Sequence, residues 1–284
     1  MLVKSDENKK HTFKIEKLKR KMDKSTPVVW ITGASSGIGA ELARQYSKRN
    51  INLILSARRA AVLLEVKESC MGHSKIQILP FDIIDFDSAP NQVEKALSFF
   101  GRVDVLINNA GISQRSLILD SKFEVFKKII EIDYLGTVAL SRAILPHFIS
   151  QQSGHYVVVS SVMGKFGSPY RSGYCGAKHA LHGFFDVMRM EHQKDNVYVT
   201  MVCPGFVATP IALNSIQGDG TALGIDDEAT RKGLDVTYFV RKMIHAIDQK
   251  KWELSIGGKE KLGVFLKRLS NKLVHNVVIR SRVR

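Results

Sequence analysis

PVVWITGASSGIGAEL, Pro27 to Leu42, is the stretch whose reading decides the fold. An apolar, β-branched run ends at Thr32, glycines follow at Gly33, Gly37 and Gly39, and a helical pattern starts within the same turn. A strand feeding a helix through such a turn makes a phosphate cradle. Gly33 permits the tight turn, Gly37 lets the backbone approach a pyrophosphate, and Gly39 lets helix and strand pack closely. Backbone N–H groups and the positive end of the helix face the phosphates. Ser35 and Ser36 add hydroxyl donors, and Ile38 lies in the same loop.

Working outward, six further strand candidates follow: INLILSA, KIQILPFD, RVDVLINN, HYVVVSS, VYVTMVCP and KWELSI. Helical patterns separate nearly all of them. Seven strands alternating with helices predict an α/β fold, a doubly wound parallel seven-stranded sheet of the Rossmann type. No internal repeat interrupts residues 27–258, which read as a single domain that binds a dinucleotide. Residues 1–26 form a charged, flexible lead. Residues 259–284 read as one basic amphipathic C-terminal helix, with Leu262, Leu266, Leu269, Leu273 and Val277 along one face. Packing on the body or on a sister subunit is the expectation for that stripe; weak contact with an anionic membrane surface is the alternative.

The formal charge of +15 resides mostly in the ends of the chain. Residues 1–26 hold 9 Lys/Arg against 4 Asp/Glu, residues 259–284 hold 8 against 1, and the body between them holds 25 against 22. The tails lack the interleaved aromatic residues of a single-strand platform, so no specific nucleic-acid partner is expected. No run of 18 apolar residues occurs, and the lysine-rich start has no apolar core of a secretion signal, which predicts a cytoplasmic protein. Cys70, Cys175 and Cys203 are too few and too scattered for a disulfide framework or a metal site. Cys175 reads as a small apolar filler.

HYVVVSS, residues 155–161, is a buried strand that delivers Ser160 and Ser161 to its carboxyl edge, where ligands of open α/β sheets collect. A glycine-containing loop then leads into a helix bearing Tyr174 and Lys178 in YCGAK, one turn apart on one face. Tyr238 and Lys242 in YFVRK share that spacing, but no serine-ended strand precedes them, and they read as an ordinary surface pair. The second strand ends in Ala57 and Arg58, where an acidic side chain would grip a free ribose hydroxyl. Arginine there accommodates a 2′-phosphate, which predicts NADP(H) as cofactor.

Taken in order, TGASSGIG, FD at Phe81 and Asp82, NNAG at Asn108 to Gly111, the Ser161/Tyr174/Lys178 set and PGFVATP at Pro204 to Pro210 resemble the short-chain dehydrogenase/reductase family over residues 27–258. The 13-residue spacing from Ser161 to Tyr174 matches that family and selects Ser161 over Ser160. The resemblance implies that Asp82 and Ile83 border the adenine. It implies that Asn109, Ala110 and Gly111 line the cofactor and steady the central sheet. It further implies that Pro204, Gly205, Val207 and Thr209 surround the nicotinamide, and that Lys178 binds the nicotinamide ribose. Tyr174 would exchange a proton with a carbonyl or secondary alcohol oxygen, and Ser161 would steady the charge on it. An adjacent ammonium and an oxidised nicotinamide both favour the phenolate, which predicts a lowered Tyr174 pKa. Asp133 in EIDYLGTV replaces the family's usual asparagine, whose link to the lysine runs through water. A carboxylate there predicts a raised pH optimum.

Ser113, Gln114, Arg115 and residues 211–234 frame the expected substrate mouth, with the latter stretch a mobile lid rich in glycine. Met163, Phe206, Ile211 and Leu213 suggest an apolar substrate, and Arg115 reads as a surface charge, with an anion contact as the alternative. A homo-oligomer, dimer or tetramer, is implied, through helices over 122–150 and 173–193. The alternative to an enzyme is an NADP(H)-binding regulator or scaffold without turnover.

Overall fold

The computed structural model describes residues 26–225 and 227–281. Seven parallel strands form one sheet in the order β3-β2-β1-β4-β5-β6-β7. They are β1 (Val28–Thr32), β2 (Asn52–Ser56), β3 (Ile76–Ile78), β4 (Val105–Asn108), β5 (Gly154–Val159), β6 (Val197–Pro204) and β7 (Glu253–Ile256). The helices are α1 (Gly37–Ser47), α2 (Ala60–Glu68), α3 (Ala89–Phe100), α4 (Phe123–Ile130), α5 (Gly136–Gln151), α6 (Ser172–Glu191), α7 (Glu228–Arg231), α8 (Val236–Asp248), α9 (Leu262–Leu269) and α10 (Asn271–Arg280).

The two-residue period of a strand divides the core into two layers. Val29 and Ile31 of β1 point into one layer with Leu42 and Tyr46 of α1, Leu63 of α2 and Phe239 and Met243 of α8. Val28 and Trp30 point into the other, with Val93 of α3, Ile144 and Phe148 of α5 and Leu181 and Phe185 of α6. All five β1 residues are buried. That explains why the strand reads as a continuous apolar run rather than an alternating one. The chain reverses direction across the sheet between β1 and β4, which opens a crevice at their carboxyl ends.

His155 of β5 is 5% exposed, and its Nε2 lies 2.8 Å from Thr200 Oγ1. Burial, with Lys250 nearby, holds its pKa down at about 4 against an ordinary 6.5. The unfolded chain therefore takes up the proton first as pH falls. This stabilising contribution is complete above pH 6.5 and is lost towards about 4. Its size is about 3 kcal/mol. Thermal melts across that window should show Tm falling with pH, and the slope should flatten in His155→Gln. An unchanged slope would exclude this histidine as the acid-sensitive group.

Two expectations about the chain's later segments require correction, and one falls outside the described residues. The C-terminal segment is two helices, because Ser270 takes an extended backbone and its Oγ accepts the Leu273 N–H at 3.4 Å, so it starts a new helix. Val264 of α9 and Val274 of α10 pack with Phe166, Tyr174 and Cys175, whereas Leu262, Leu269, Leu273 and Val277 of the expected stripe are exposed. Residues 211–234 are not a free lid. Ile216 pairs with Gln114 and Ala222, Val207 pairs with Leu234, and Ser215 and Thr230 are buried. The expected flexible lead, residues 1–26, lies outside the described residues apart from Thr26.

Candidate active site

The glycine turn is built as its sequence demands. Gly33 has φ +63°, and a Cβ there would stand 2.8 Å from Ala110 Cα. A Cβ on Gly39 would stand 2.2 Å from the Gly33 carbonyl oxygen. Neither position admits a side chain without moving the turn. Asn109 fixes the turn from β4: its Nδ2 donates to the Thr32 and Gly33 carbonyls at 3.0 and 3.1 Å. The backbone N–H groups of Asn109 and Ala110 donate to Thr32 Oγ1 at 3.0 and 3.2 Å. Helix α1 opens with no side-chain cap from Ser36 and no acidic residue in its first turn. Its leading N–H groups and its dipole are thus directed at the crevice without an internal anion.

Ser161 and Ser160 diverge at the end of β5. Ser160 Oγ donates to the Lys178 carbonyl at 3.2 Å and meets His182 Nε2 at 3.1 Å, which ties it to α6. Ser161 Oγ accepts the Met163 N–H at 3.1 Å and donates towards the Pro204 carbonyl at 3.4 Å, and its hydroxyl is one of the groups that draw the Tyr174 pKa down. Gln114 supports the helix that brings the tyrosine in, since its Oε1 accepts the Gly173 and Tyr174 N–H groups at 2.8 and 3.4 Å. Gln114 is therefore a helix support rather than part of the mouth.

Lys178 Nζ sits 5.6 Å from the centre of the Tyr174 ring and donates to the Val159 carbonyl at 3.2 Å. It also lies 3.2 Å from Asp133 Oδ2. Asp133 occupies a π-helical turn, Glu131–Leu135, that joins α4 to α5, and it is fully buried. Such turns redirect side chains at functional sites. Its Oδ1 accepts the Ile112 N–H at 2.8 Å. The link from this position to the lysine is thus a direct ion pair, which an aspartate makes and which differs from the water-mediated link expected of asparagine.

The protein groups by themselves do not lower the tyrosine pKa. Burial raises Tyr174 above the ordinary phenol value, and Asp133 adds to that; Lys178 and the Ser161 hydrogen bond pull it down less strongly. Burial alone would lower Lys178, yet Asp133 and Tyr174 outweigh it, and the ammonium is held above its ordinary value. Burial lifts Asp133, opposed by Lys178 and the Ile112 N–H. The resting arrangement is a protonated phenol beside a firmly charged ammonium.

These groups open into a cavity of about 550 Å³. Every expected catalytic or cofactor residue lines it except Gly39 and Asp133, which stand just behind its wall. Arg58 is exposed at one end beside Ala57, Asp82 and Ile83. Val207 and Thr209 lie further along, with Thr209 Oγ1 donating to the Val207 carbonyl at 3.3 Å. Met163, Phe206 and Ile211 line the cavity as expected, but Leu213 does not. Arg115 is no free surface charge: it is half-buried and ion-paired with Asp227. Tyr238 and Lys242 lie on α8 around a separate shallow pocket, with Tyr238 42% exposed. Cys175 is a buried filler among Met163, Phe166 and Val264.

Several lining residues, Lys128 and Ile132 among them, have no counterpart in the sequence reading, and two others bear directly on the site. Glu260 follows β7, and its Oε1 accepts the Phe206 and Gly258 N–H groups, both at 2.9 Å. Nothing local in the sequence ties it to PGFVATP. Arg171 precedes α6 and is 1% exposed. Its position at the start of the helix that carries Tyr174 is the available signal.

The short chain dehydrogenase family matches residues 27–219. The chain is 44% identical over 200 residues to human dehydrogenase/reductase SDR family member 7, covering 68% of this chain and 59% of that protein's length. It is 35% identical over 273 residues to dehydrogenase/reductase SDR family member 7B of Xenopus laevis, covering 93% and 84% of the two chains. Among solved structures, the fold resembles levodione reductase, with TM-score 0.75, 23% identity and coverage of 84% and 99%. It also resembles a Burkholderia phymatum short-chain dehydrogenase/reductase in complex with NAD, with TM-score 0.76, 20% identity and coverage of 89% and 95%. From the sequence match, and with a fold to accord, the chain belongs to the short-chain dehydrogenase/reductase family of oxidoreductases.

Proposed function

We propose that the protein is an NADP(H)-dependent oxidoreductase that interconverts a carbonyl and a secondary alcohol. The observation carrying this reading is the meeting of Ser161, Tyr174 and Lys178 on the wall of a cavity that continues to the glycine turn. The residues present fit a dinucleotide. The turn excludes side chains at Gly33 and Gly39, and the uncapped start of α1 would hold the pyrophosphate. Arg58, exposed and without an ion-pair partner among the described residues, would hold the 2′-phosphate. Lys178 would hold the nicotinamide ribose, and Val207 and Thr209 its carboxamide.

When bound, the reduced nicotinamide supplies a hydride to the carbonyl carbon. Ser161 would donate a hydrogen bond to the carbonyl oxygen and Tyr174 would give it a proton, so the C=O π bond breaks as one C–H and one O–H bond form and the Tyr174 O–H bond is lost. Lys178 stabilises the tyrosinate left behind until solvent reprotonates it. A phenol held protonated by burial suits this direction, and the reverse reaction needs it ionised first.

The test is absorbance loss of NADPH and, separately, NADH on a panel of ketones, aldehydes and quinones. Turnover should favour NADPH. Arg58→Ala should lower that preference roughly tenfold, the scale of one charge-assisted contact to phosphate. Tight NADPH binding without turnover of any compound would instead support a regulator that has kept only the cofactor.

A further inference from the structure

Arg171 is the largest charged side chain in the core, at 1% exposure, and it lines the same cavity as Ser161 and Tyr174. Its Nη1 and Nη2 are buried and have no hydrogen-bond partner. An arginine kept for structure spends its fork of donors on carbonyls or carboxylates. This one does not.

Its electrostatic surroundings are Arg115, Asp227, Tyr174 and Cys175. Arg115 also lines the cavity and is ion-paired with Asp227, and its Nη1 donates to Ser113 Oγ at 3.0 Å and the Gln114 carbonyl at 2.9 Å. Its Nε, like the Arg171 termini, is buried without a partner. Two guanidiniums thus share one carboxylate. Burial and Arg115 lower the Arg171 pKa to about 10, still far above neutrality, so the group remains charged. A buried, unpaired cation is costly unless something brings the matching charge. The backbone supports this inward placement: Tyr170, immediately before it, has φ +66°, a left-handed conformation that bulky residues seldom adopt.

We propose that Arg171, backed by Arg115, is a carboxylate subsite beside the catalytic tyrosine, and that the substrate is a carbonyl compound carrying a carboxylate. The guanidinium charge left over beside the tyrosine, once Asp227 pairs with Arg115, matches a monoanion better than a doubly charged phosphate. This rests on the oxidoreductase reading and narrows it from an apolar carbonyl compound to an apolar acid, with Met163, Phe206 and Ile211 facing the remainder.

The test uses oxo acids of graded chain length and their methyl esters as substrates with NADPH. Wild type should prefer the acid at one chain length, and Arg171→Gln should cut the acid-over-ester ratio of kcat/KM by roughly 10- to 100-fold, the scale of a charge-assisted pair. Arg171→Lys should recover part of it. In parallel, calorimetry measures benzoate and inorganic phosphate binding to the NADPH-loaded protein. Benzoate should bind more tightly than phosphate, and Arg171→Gln should abolish its binding. Tm of Arg171→Gln should equal or exceed that of wild type, because an unpaired buried charge is removed; a lower Tm would mean a structural arginine and overturn the proposal. Reduction of esters as readily as acids would overturn it while leaving the oxidoreductase reading standing. Arg171-dependent benzoate binding without any turnover would do the opposite. No benzoate binding to wild type would also overturn it, and phosphate binding ahead of benzoate would overturn the carboxylate assignment.

Discussion

Tyr174→Phe should lower kcat by about 10²- to 10⁴-fold, the usual contribution of a positioned proton donor. Cofactor affinity and Tm should stay near those of wild type. The ring packs with Met163, Phe166, Cys175 and Val264, and phenylalanine keeps all of that contact. What disappears is the phenolic proton and its interaction with Ser161. Lys178 keeps its bonds to Asp133 and the Val159 carbonyl, so the ribose contact proposed for it survives. Titration of NADPH fluorescence separates the two effects: binding preserved with turnover lost assigns the phenol to chemistry. Tyr238→Phe is the control, since that ring is half exposed on α8 and away from the cavity. Retention of more than a tenth of wild-type kcat in Tyr174→Phe would mean that another group or water donates the proton.

The contrast between these two tyrosines shows what a sequence can carry. Both pairs have the i, i+4 spacing, and only the preceding strand distinguishes them. That strand is legible because a buried parallel strand has to be apolar on both faces, so HYVVVSS stands out as a run. The glycine turn is legible for a similar reason: the close approaches at Gly33 and Gly39 leave no alternative residue. The C-terminal segment misled because helical periodicity says which residues share a face, not which face meets the body. Gly263 there abuts Phe166 and brings Val264 inward, a contact that arises from residues nearly a hundred positions apart. Arg115 misled in the same way, since its partner Asp227 lies 112 positions along the chain. The Tyr174 pKa is only partly legible, because a neighbouring charge is visible in a motif, whereas the depth of burial that opposes it is not.

Asp133 is where substitution should separate the site's stability from its titration. Asp133→Ala removes the counter-charge of a buried ammonium and leaves Lys178 facing only the Val159 carbonyl; breaking such a pair costs about 3–5 kcal/mol. It also strands the Ile112 N–H, which now donates to Oδ1 at 2.8 Å. A fall in Tm is expected, read by thermal melt. Asp133→Asn keeps the shape and can still accept from Ile112, so its fold should survive and its effect should appear in the pH profile. The sign follows from the charges. Asp133 raises Tyr174, so removing its charge lowers the phenol's pKa. In alcohol oxidation, where ionised tyrosine is required, the rising limb of the profile should move to lower pH. In carbonyl reduction, where the proton is required, activity should begin to fall at lower pH as well. Both limbs moving together is the signature of one tyrosine tuned by one carboxylate. Limbs that stay fixed in Asp133→Asn while Asp133→Ala melts early would make Asp133 a support of the fold alone, with the pH optimum set elsewhere.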